Sequence, residues 1–469
     1  MAHAPHMDRA LTILIASASI SQHATGQRTG REILMRNDFK LIVLGVAVGA
    51  ILGGAEARAS GATAVLQARI PGQTADAYFG YSVAVDGNTA VIGSITDNSN
   101  KGAAYVFSRG GSGWTLTQEL TPSDGGADGA LFGYAVAVSG NTVMVGAPGV
   151  TTPSAANGSV YVYSNSGTGF SAVGPILTGG SNAQPNDCFG CAIALRSNLA
   201  LIGAPGSFGN MGQASVFSNG GSGWTLQQSF LGSAAAGYFG FSVALSSDAS
   251  TALIGAFAVD NSTNTGRAYA YVAAGGSWTE QGILSASDGQ PGDNFGYALA
   301  VDGNTAIVGA YGRANRTGAA YIFERSGGVW ASQGPLVAAD AAQGDYFGWS
   351  VAISGTTAVI GASEKTGSTG PGAAYVFAAN GAVWSQQQEL FAQNSGEYFG
   401  YAVAQGGATS VIGAFGAGST PDTGAAYVFA PVATAAPAAG SPLVLVGLAL
   451  MLIGAGLVSV RIRFGENAS

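Results

Sequence analysis

The sequence predicts an all-β protein, a seven-bladed β-propeller of four-stranded antiparallel blades, on three observations. Phe-Gly heads a recurrent block seven times. Each block holds four short apolar runs parted by Gly-rich turns. The seventh block lacks its last run, and a matching run lies upstream of the first block.

The blocks begin at Phe79, Phe132, Phe189, Phe239, Phe295, Phe347 and Phe399, with spacings of 53, 57, 50, 56, 52 and 52 residues. The first reads FGYSVAVDGNTAVIGS, a variable loop, GAAYVF, a short loop, then WTLTQEL. Its opening run alternates strictly. Phe79, Tyr81, Val83 and Val85 are expected on one face, Gly80, Ser82 and Ala84 on the other, and the second set is Gly, Ser or Ala in every block. Large-on-small pairing of this kind suits blades packed face to face around a narrow axis.

The second run follows a tight turn, as in Val85-Asp86-Gly87-Asn88-Thr89, because Gly accepts the positive φ of a two-residue hairpin. A Gly opens the third run at positions 102, 158, 212, 266, 318, 372 and 424. The fourth starts with Trp114, Phe170, Trp224, Trp278, Trp330 or Trp384, and six residues on comes an apolar anchor such as Leu120, Phe230, Leu336 or Leu390. An aromatic at one place in each of these blocks reads as packing between blades. The seventh block stops at Phe429, and Ala64 to Ile70 (AVLQARI) matches the missing run, with Gln67 and Ile70 placed like Gln281 and Leu284. The N-terminal strand is therefore expected to close the last blade and remove two open sheet edges.

Flanking segments give an address. From Met35, basic Arg36 and Lys40, the apolar Leu41 to Leu52 and small residues at Ala55, Ala57 and Ala59 read as a signal peptide over 35–59, with 1–34 a mis-assigned upstream extension. The propeller takes 60–430 and an Ala/Pro linker 431–442. Residues 443–460 are uncharged, and as a helix they are about 27 Å long, close to a hydrocarbon core of roughly 30 Å. Arg461 and Arg463 in the tail 461–469 would leave it cytoplasmic. One C-terminal transmembrane helix and display outside the cell are expected, with the membrane as a partner. This layout resembles bacterial surface-sorting tails of the PEP-CTERM kind without the Pro-Glu-Pro signature, so anchoring and processing both stay open.

Composition narrows the chemistry. Residues 60–430 carry nine Lys or Arg against twenty Asp or Glu, a balance of −11, which repels phosphate backbones and argues against nucleic acid. His3, His6 and His23 all precede Met35, so the exported body has no imidazole for a triad or a histidine metal site.

The seven in-register blocks resemble the FG-GAP repeat family, which includes the propeller of integrin α subunits. The family's name can be read from Phe132-Gly133 to Gly146-Ala147-Pro148 and from Phe189-Gly190 to Gly203-Ala204-Pro205, while elsewhere the second motif becomes Gly-Ala-Phe, Gly-Ala-Tyr or Gly-Ala-Ser. The integrin-like repeat implies Ca²⁺ held by D-x-D-x-D-G. No block has that pattern, and the turns cannot supply six to eight oxygens, so neither calcium nor another cofactor is expected.

Carboxylates recur between blocks: Asp124 and Asp128, Asp288 and Asp293, Asp340 and Asp345, with Asp187 and Glu397. They could form hydrolytic pairs, but their spread around the ring favours solvated turns. Cys188 and Cys191 flank Phe189-Gly190. Two small core residues and a disulfide are both open, because residues three apart in an extended strand are about 10 Å apart, beyond the roughly 7 Å a bridge spans, unless the chain bends at Gly190.

The loops between second and third strands vary most, and should share a rim with the inter-blade connections. Asp97, Lys101, Asp260, Arg267, Arg313, Arg316, Glu364 and Lys365 are expected to project there. The leading expectation is a non-catalytic, monomeric binding or adhesion propeller that recognises an extracellular glycan or protein through this rim. The alternative is a secreted carbohydrate-active hydrolase or lyase using Asp and Tyr in the central depression.

Overall fold

A computed structural model describes residues 63–431, apart from 75–76, 150–156, 181–182, 185, 234–236, 260–264, 366, 368–369, 393–395 and 417–422. The segments expected as signal peptide and membrane helix lie outside the described residues. Among the described residues no helix is long and apolar enough to cross a membrane.

Seven four-stranded antiparallel sheets follow one another in the chain. Blade 1 is β2 (Phe79–Asp86), β3 (Thr89–Ser94), β4 (Ala103–Gly110) and β5 (Gly113–Leu120); blade 2 is β6 (Ala135–Ser139), β7 (Thr142–Ala147), β8 (Ser159–Asn165) and β9 (Phe170–Ala172). Blade 3 is β10 (Ala192–Arg196), β11 (Leu199–Ala204), β12 (Gln213–Asn219) and β13 (Trp224–Leu231); blade 4 is β14 (Val243–Leu245), β15 (Thr251–Ala256), β16 (Arg267–Ala274) and β17 (Ser277–Leu284). Blade 5 is β18 (Ala298–Asp302), β19 (Thr305–Ala310), β20 (Ala319–Ser326) and β21 (Val329–Leu336); blade 6 is β22 (Phe347–Ser354), β23 (Thr357–Ala362), β24 (Ala373–Asn380) and β25 (Val383–Phe391). Blade 7 takes β26 (Ala402–Gly406), β27 (Thr409–Ala414) and β28 (Ala425–Pro431) from one end of the chain and β1 (Ala64–Pro71) from the other. Innermost strands touch in cyclic order, and β26 packs on β2, so the ring is closed.

Closure by β1 is as expected. It pairs with β28 from Ala64↔Pro431 to Pro71↔Ala425. A glutamine clamp repeats around the ring and treats β1 as an ordinary fourth strand. Gln118 grips the backbone of Phe170 (2.6 and 2.7 Å) and Gln228 that of Trp278 (2.9 and 2.9 Å). Gln388 grips Ala64 in the same way (2.8 and 2.9 Å), so Ala64 stands where the aromatic stands in other blades.

The core lies between blades. Ala84, Val91, Ala104 and Val106 of blade 1 face Val136, Val138, Val143 and Val145 of blade 2, and among them Ala84 against Val136 and Val138 is the large-on-small pairing of first strands read from the sequence. The Phe of every Phe-Gly is buried, and Phe132 meets Tyr161 and Tyr163 edge-on at 5.3 and 6.2 Å. Each such burial is worth about 1.5–3 kcal/mol.

Blades are also joined through main chain. In six of the seven junctions the Gly that opens a third strand bridges the next blade's Phe in parallel, as in Gly318↔Phe347. A Cβ on Gly318 would lie 2.0 Å from the Phe347 carbonyl oxygen, so only glycine lets the two backbones approach.

One expectation needs correcting. Phe-Gly does not begin a plain strand with Phe79 and Tyr81 on one face. The residue before each Phe has positive φ (Tyr78 51°, Leu131 55°, Cys188 62°). The residue after each Gly donates its N–H back to it, as from Tyr134 to the Leu131 carbonyl (3.0 Å). With Gly133 at φ 94° this is a type II turn. It sends Phe into the blade interface and the residue after Gly toward the axis. Regular alternation starts only at Val83.

Candidate ligand-binding face

Seven turns of this kind deliver seven side chains to one end of the central channel: Tyr81, Tyr134, Cys191, Phe241, Tyr297, Trp349 and Tyr401. The rings form an arc, with centroids at 5.1 Å for Tyr134–Tyr81 and Tyr81–Tyr401, 5.5 Å for Tyr401–Trp349, 4.7 Å for Trp349–Tyr297 and 4.8 Å for Tyr297–Phe241. All are half-buried. Burial, reinforced by neighbouring phenols, holds the hydroxyls of Tyr81, Tyr134, Tyr297 and Tyr401 well above the ordinary tyrosine range. The seventh place belongs to Cys191, joined to Cys188 by a disulfide, their Cα atoms 5.5 Å apart. The turn at Phe189-Gly190 supplies the bend, with Cys191 N–H on the Cys188 carbonyl at 3.0 Å.

A second tier comes from the residue after Gly-Ala in blades 4, 5 and 7. Phe257 stacks on Tyr238 at 5.3 Å, Tyr311 on Tyr346 at 5.4 Å, and Phe415 on Tyr398 at 5.0 Å. Below this layer the channel is walled by innermost strands, largely Val, Ala, Leu and Ile, around about 200 Å³.

The loops beside the aromatic layer are built unusually. Asn98, Ser99 and Asn100 all have positive φ, as do Phe208, Gly209 and Asn210, and Ala314, Asn315 and Arg316. Three such residues in a row make a left-handed turn, each non-glycine member costing about 1–2 kcal/mol. The turns are held by their neighbours. Asn210 receives Tyr238 N–H (2.9 Å), and Arg316 receives both Gly344 N–H (3.1 Å) and Tyr346 N–H (2.9 Å). Between blades 5 and 6 the left-handed turn, the 290–294 connection and the Tyr346–Trp349 turn enclose about 740 Å³, within the roughly 300–1,000 Å³ usual for ligand sites.

The FG-GAP repeat profile matches the chain six times, over residues 71–107, 114–163, 224–271, 278–323, 330–377 and 384–429, together more than half its length. This chain belongs to the FG-GAP repeat family. A search among curated proteins gave no match. The FG-GAP unit runs from the fourth strand of one blade through the third strand of the next. The unmatched stretch holds β9, cut to three residues, and the Cys-flanked Phe189-Gly190 of blade 3. That blade nonetheless has four strands.

On this FG-GAP propeller the expected rim residues divide. Arg316 is exposed and lines the cleft, its guanidinium 5.8 Å from the Tyr346 centroid. Glu364 is half-buried, with its carboxyl raised by burial, and Arg267 is half-buried at the start of β16. Asp260 lies outside the described residues. The others are held by partners. Asp97 is buried and accepts from Tyr105 Oη at 2.5 Å. Lys101 Nζ donates to the Gly125 carbonyl at 3.1 Å. Arg313 pairs with Asp288 at 2.7 Å, and Lys365 with Asp340 at 2.6 Å and Asp345 at 3.3 Å.

The inter-blade carboxylates divide: Asp124, Asp128, Asp288 and Asp340 are exposed in the connections, as the sequence suggested, and the other four are not. Asp187, Asp293, Asp345 and Glu397 are buried. The first three accept a backbone N–H three residues upstream at 2.7–2.9 Å. A second rule joins strand to connection: the third-strand tyrosine donates to a carboxylate. Tyr161 reaches Asp124 (3.1 Å), Tyr321 Asp288 (2.7 Å), Tyr375 Asp340 (2.9 Å) and Tyr427 Glu397 (2.5 Å). Hydrogen bonds from Arg313 and Tyr321 hold Asp288 below the usual carboxylate range. These acids tie the fold together, which weakens the case for hydrolytic pairs. The aromatic arc went unrecognised in the sequence, although six of the seven residues after Phe-Gly are aromatic.

Proposed function

We propose that the chain is an exported, surface-displayed binding propeller that recognises a glycan or an extracellular protein through the face carrying the aromatic arc, without catalysis. The arc carries the reading. The ring is already closed by β1, the blade interfaces and the main-chain joints, so half-exposed aromatics at one mouth of the channel are surplus to assembly. Large, stiff, amphipathic rings give contact area at small entropic cost. The strained left-handed turns beside them fit a pre-organised rim. The signal-like 35–59 and the uncharged 443–460 support export and anchoring.

The test is to ask which face binds. The full chain is screened against glycan and protein panels, bare and with a bulky polymer on a single new cysteine. A polymer at Asp128→Cys, in the connection from blade 1 to blade 2, should block binding. One at Asn88→Cys, in the turn at the opposite mouth, should leave it intact. The reverse pattern would overturn the assignment. Sequencing of the native N-terminus checks export, which requires a start near Arg58 or Ser60.

A further inference from the structure

We infer that the cleft between blades 5 and 6 is a sugar subsite of that face, built for a pyranose bearing one carboxylate at the end of an otherwise neutral glycan. The inference rests on the loop-face reading and goes further by naming site and ligand class.

The wall is aromatic. Tyr311 and Tyr346 stack at 5.4 Å with planes 21° apart, and Trp349 stands at 60° and 78° to them, 5.0 and 5.9 Å away. A pyranose presents a face of C–H bonds with partial positive charge, which suits the negative face of an aromatic ring. Its hydroxyls need polar partners at the edge, and the cleft has them unspent. Asn294 and Asn315 line it. Neither they nor the Arg316 guanidinium makes a side-chain hydrogen bond to another described residue.

Charge selects the ligand further. Arg313 and Lys365 have carboxylate partners at 2.6–3.3 Å. Arg316, among the described residues, has none and rests on the Tyr346 ring. A cation already on that ring disfavours a cationic guest, the other chemistry an aromatic cage can serve. An anion is favoured, because a guanidinium holds a carboxylate by two parallel hydrogen bonds. The body's balance of −11 over residues 60–430 opposes polyanions at long range. One carboxylate on a neutral chain satisfies both conditions.

The experiment is calorimetric titration of the full chain with three probes: a neutral oligosaccharide capped by a hexuronic acid, the same compound with its carboxyl reduced to an alcohol, and a polyuronate. The capped compound should bind at least about tenfold more tightly than the reduced one, the worth of a hydrogen-bonded charged group. The polyuronate should bind more weakly than the cap. Arg316→Gln should remove the preference for acid. Arg316 is exposed, so the melting temperature should hold. Asn315→Ala, also exposed, should weaken both forms. Equal binding of acid and alcohol, a preference that survives Arg316→Gln, or a tighter polyuronate would each overturn the subsite. A ligand blocked by the polymer at Asp128→Cys but indifferent to Arg316→Gln would sink the subsite and leave the face. Blocking from Asn88→Cys alone would sink the face itself.

Discussion

Replacing Gly318 by alanine should separate blade 5 from blade 6, and the cost can be worked from the joint. Gly318 has φ 87°, where an L-residue is strained by about 1–2 kcal/mol. The new Cβ would lie 2.0 Å from the Phe347 carbonyl oxygen, 2.5 Å from its nitrogen and 2.7 Å from its carbonyl carbon. None of these atoms is the end of a flexible side chain, so a shift of about 1 Å falls on the backbone of two packed blades, at about 1–3 kcal/mol for overpacking. It also stretches the bond from Phe347 N–H to the Thr317 carbonyl, 3.1 Å in the native ring, for about another 1–3 kcal/mol if it is left unmade. The total is about 3–8 kcal/mol. Gly303→Ala is the control: φ there is 56°, with nothing within 4 Å of the added Cβ. It should cost the backbone term alone. Urea denaturation of the full chain, followed by near-UV circular dichroism, should put the midpoint of Gly318→Ala clearly below that of Gly303→Ala. Equal midpoints would refute the joint as a source of stability.

Other outcomes follow from the same ring. Deleting residues 63–71 strips β28 of its partner and should lower the melting temperature strongly and produce oligomers by edge pairing; removing 432–442 should do neither. Replacing Cys188 and Cys191 by serine should cost no more than about 2 kcal/mol in urea titrations, the entropy of so short a loop, because six other blades make the same turn without a bridge. Burial, then the Glu397 bond, pushes the Tyr427 phenol up to about 12, and the arc phenols are also raised. A raised folded value protects the neutral form, so stability should be full below about pH 10, where unfolded tyrosine ionises, and fall as pH climbs toward 12. Tyrosinate absorbance should therefore rise for these residues together with unfolding; full ionisation near pH 10 in an intact fold would contradict it.

Seven blades and their closure were legible because period, Phe-Gly and the missing fourth run point one way, and β1 repeats the fourth-strand pattern down to Ala64. The Phe-Gly turn was hidden by its own geometry. A strand and a type II turn both allow a bulky residue on either side of a glycine, so Phe79 and Tyr81 looked like one face. Tyr78, Leu131, Cys188 and Asn294 share no side-chain type that would mark positive φ. Buried carboxylates were illegible for another reason: the Tyr427 hydroxyl that Glu397 receives lies 30 residues away in the chain. Arg316 could be placed on the rim from loop variability alone. Trp349 could not be placed beside it, because it sits inside the block that reads as core.

The pairing of Ala64 with Pro431 has a mechanical side. β1 begins and β28 ends at the same corner of blade 7, side by side. Pulling those two ends apart would unzip β1 from β28 one rung at a time, the soft direction for an antiparallel pair. Pulling on the C-terminal flank alone, against a partner seated on the aromatic face, loads the ring differently. Tension then enters through β28, which is bonded along both edges to β27 and β1, and is shared across a whole sheet. If the propeller is held by its C-terminal end, as proposed, it would be stiff toward a partner on the aromatic face and would yield first to a tug on its other end.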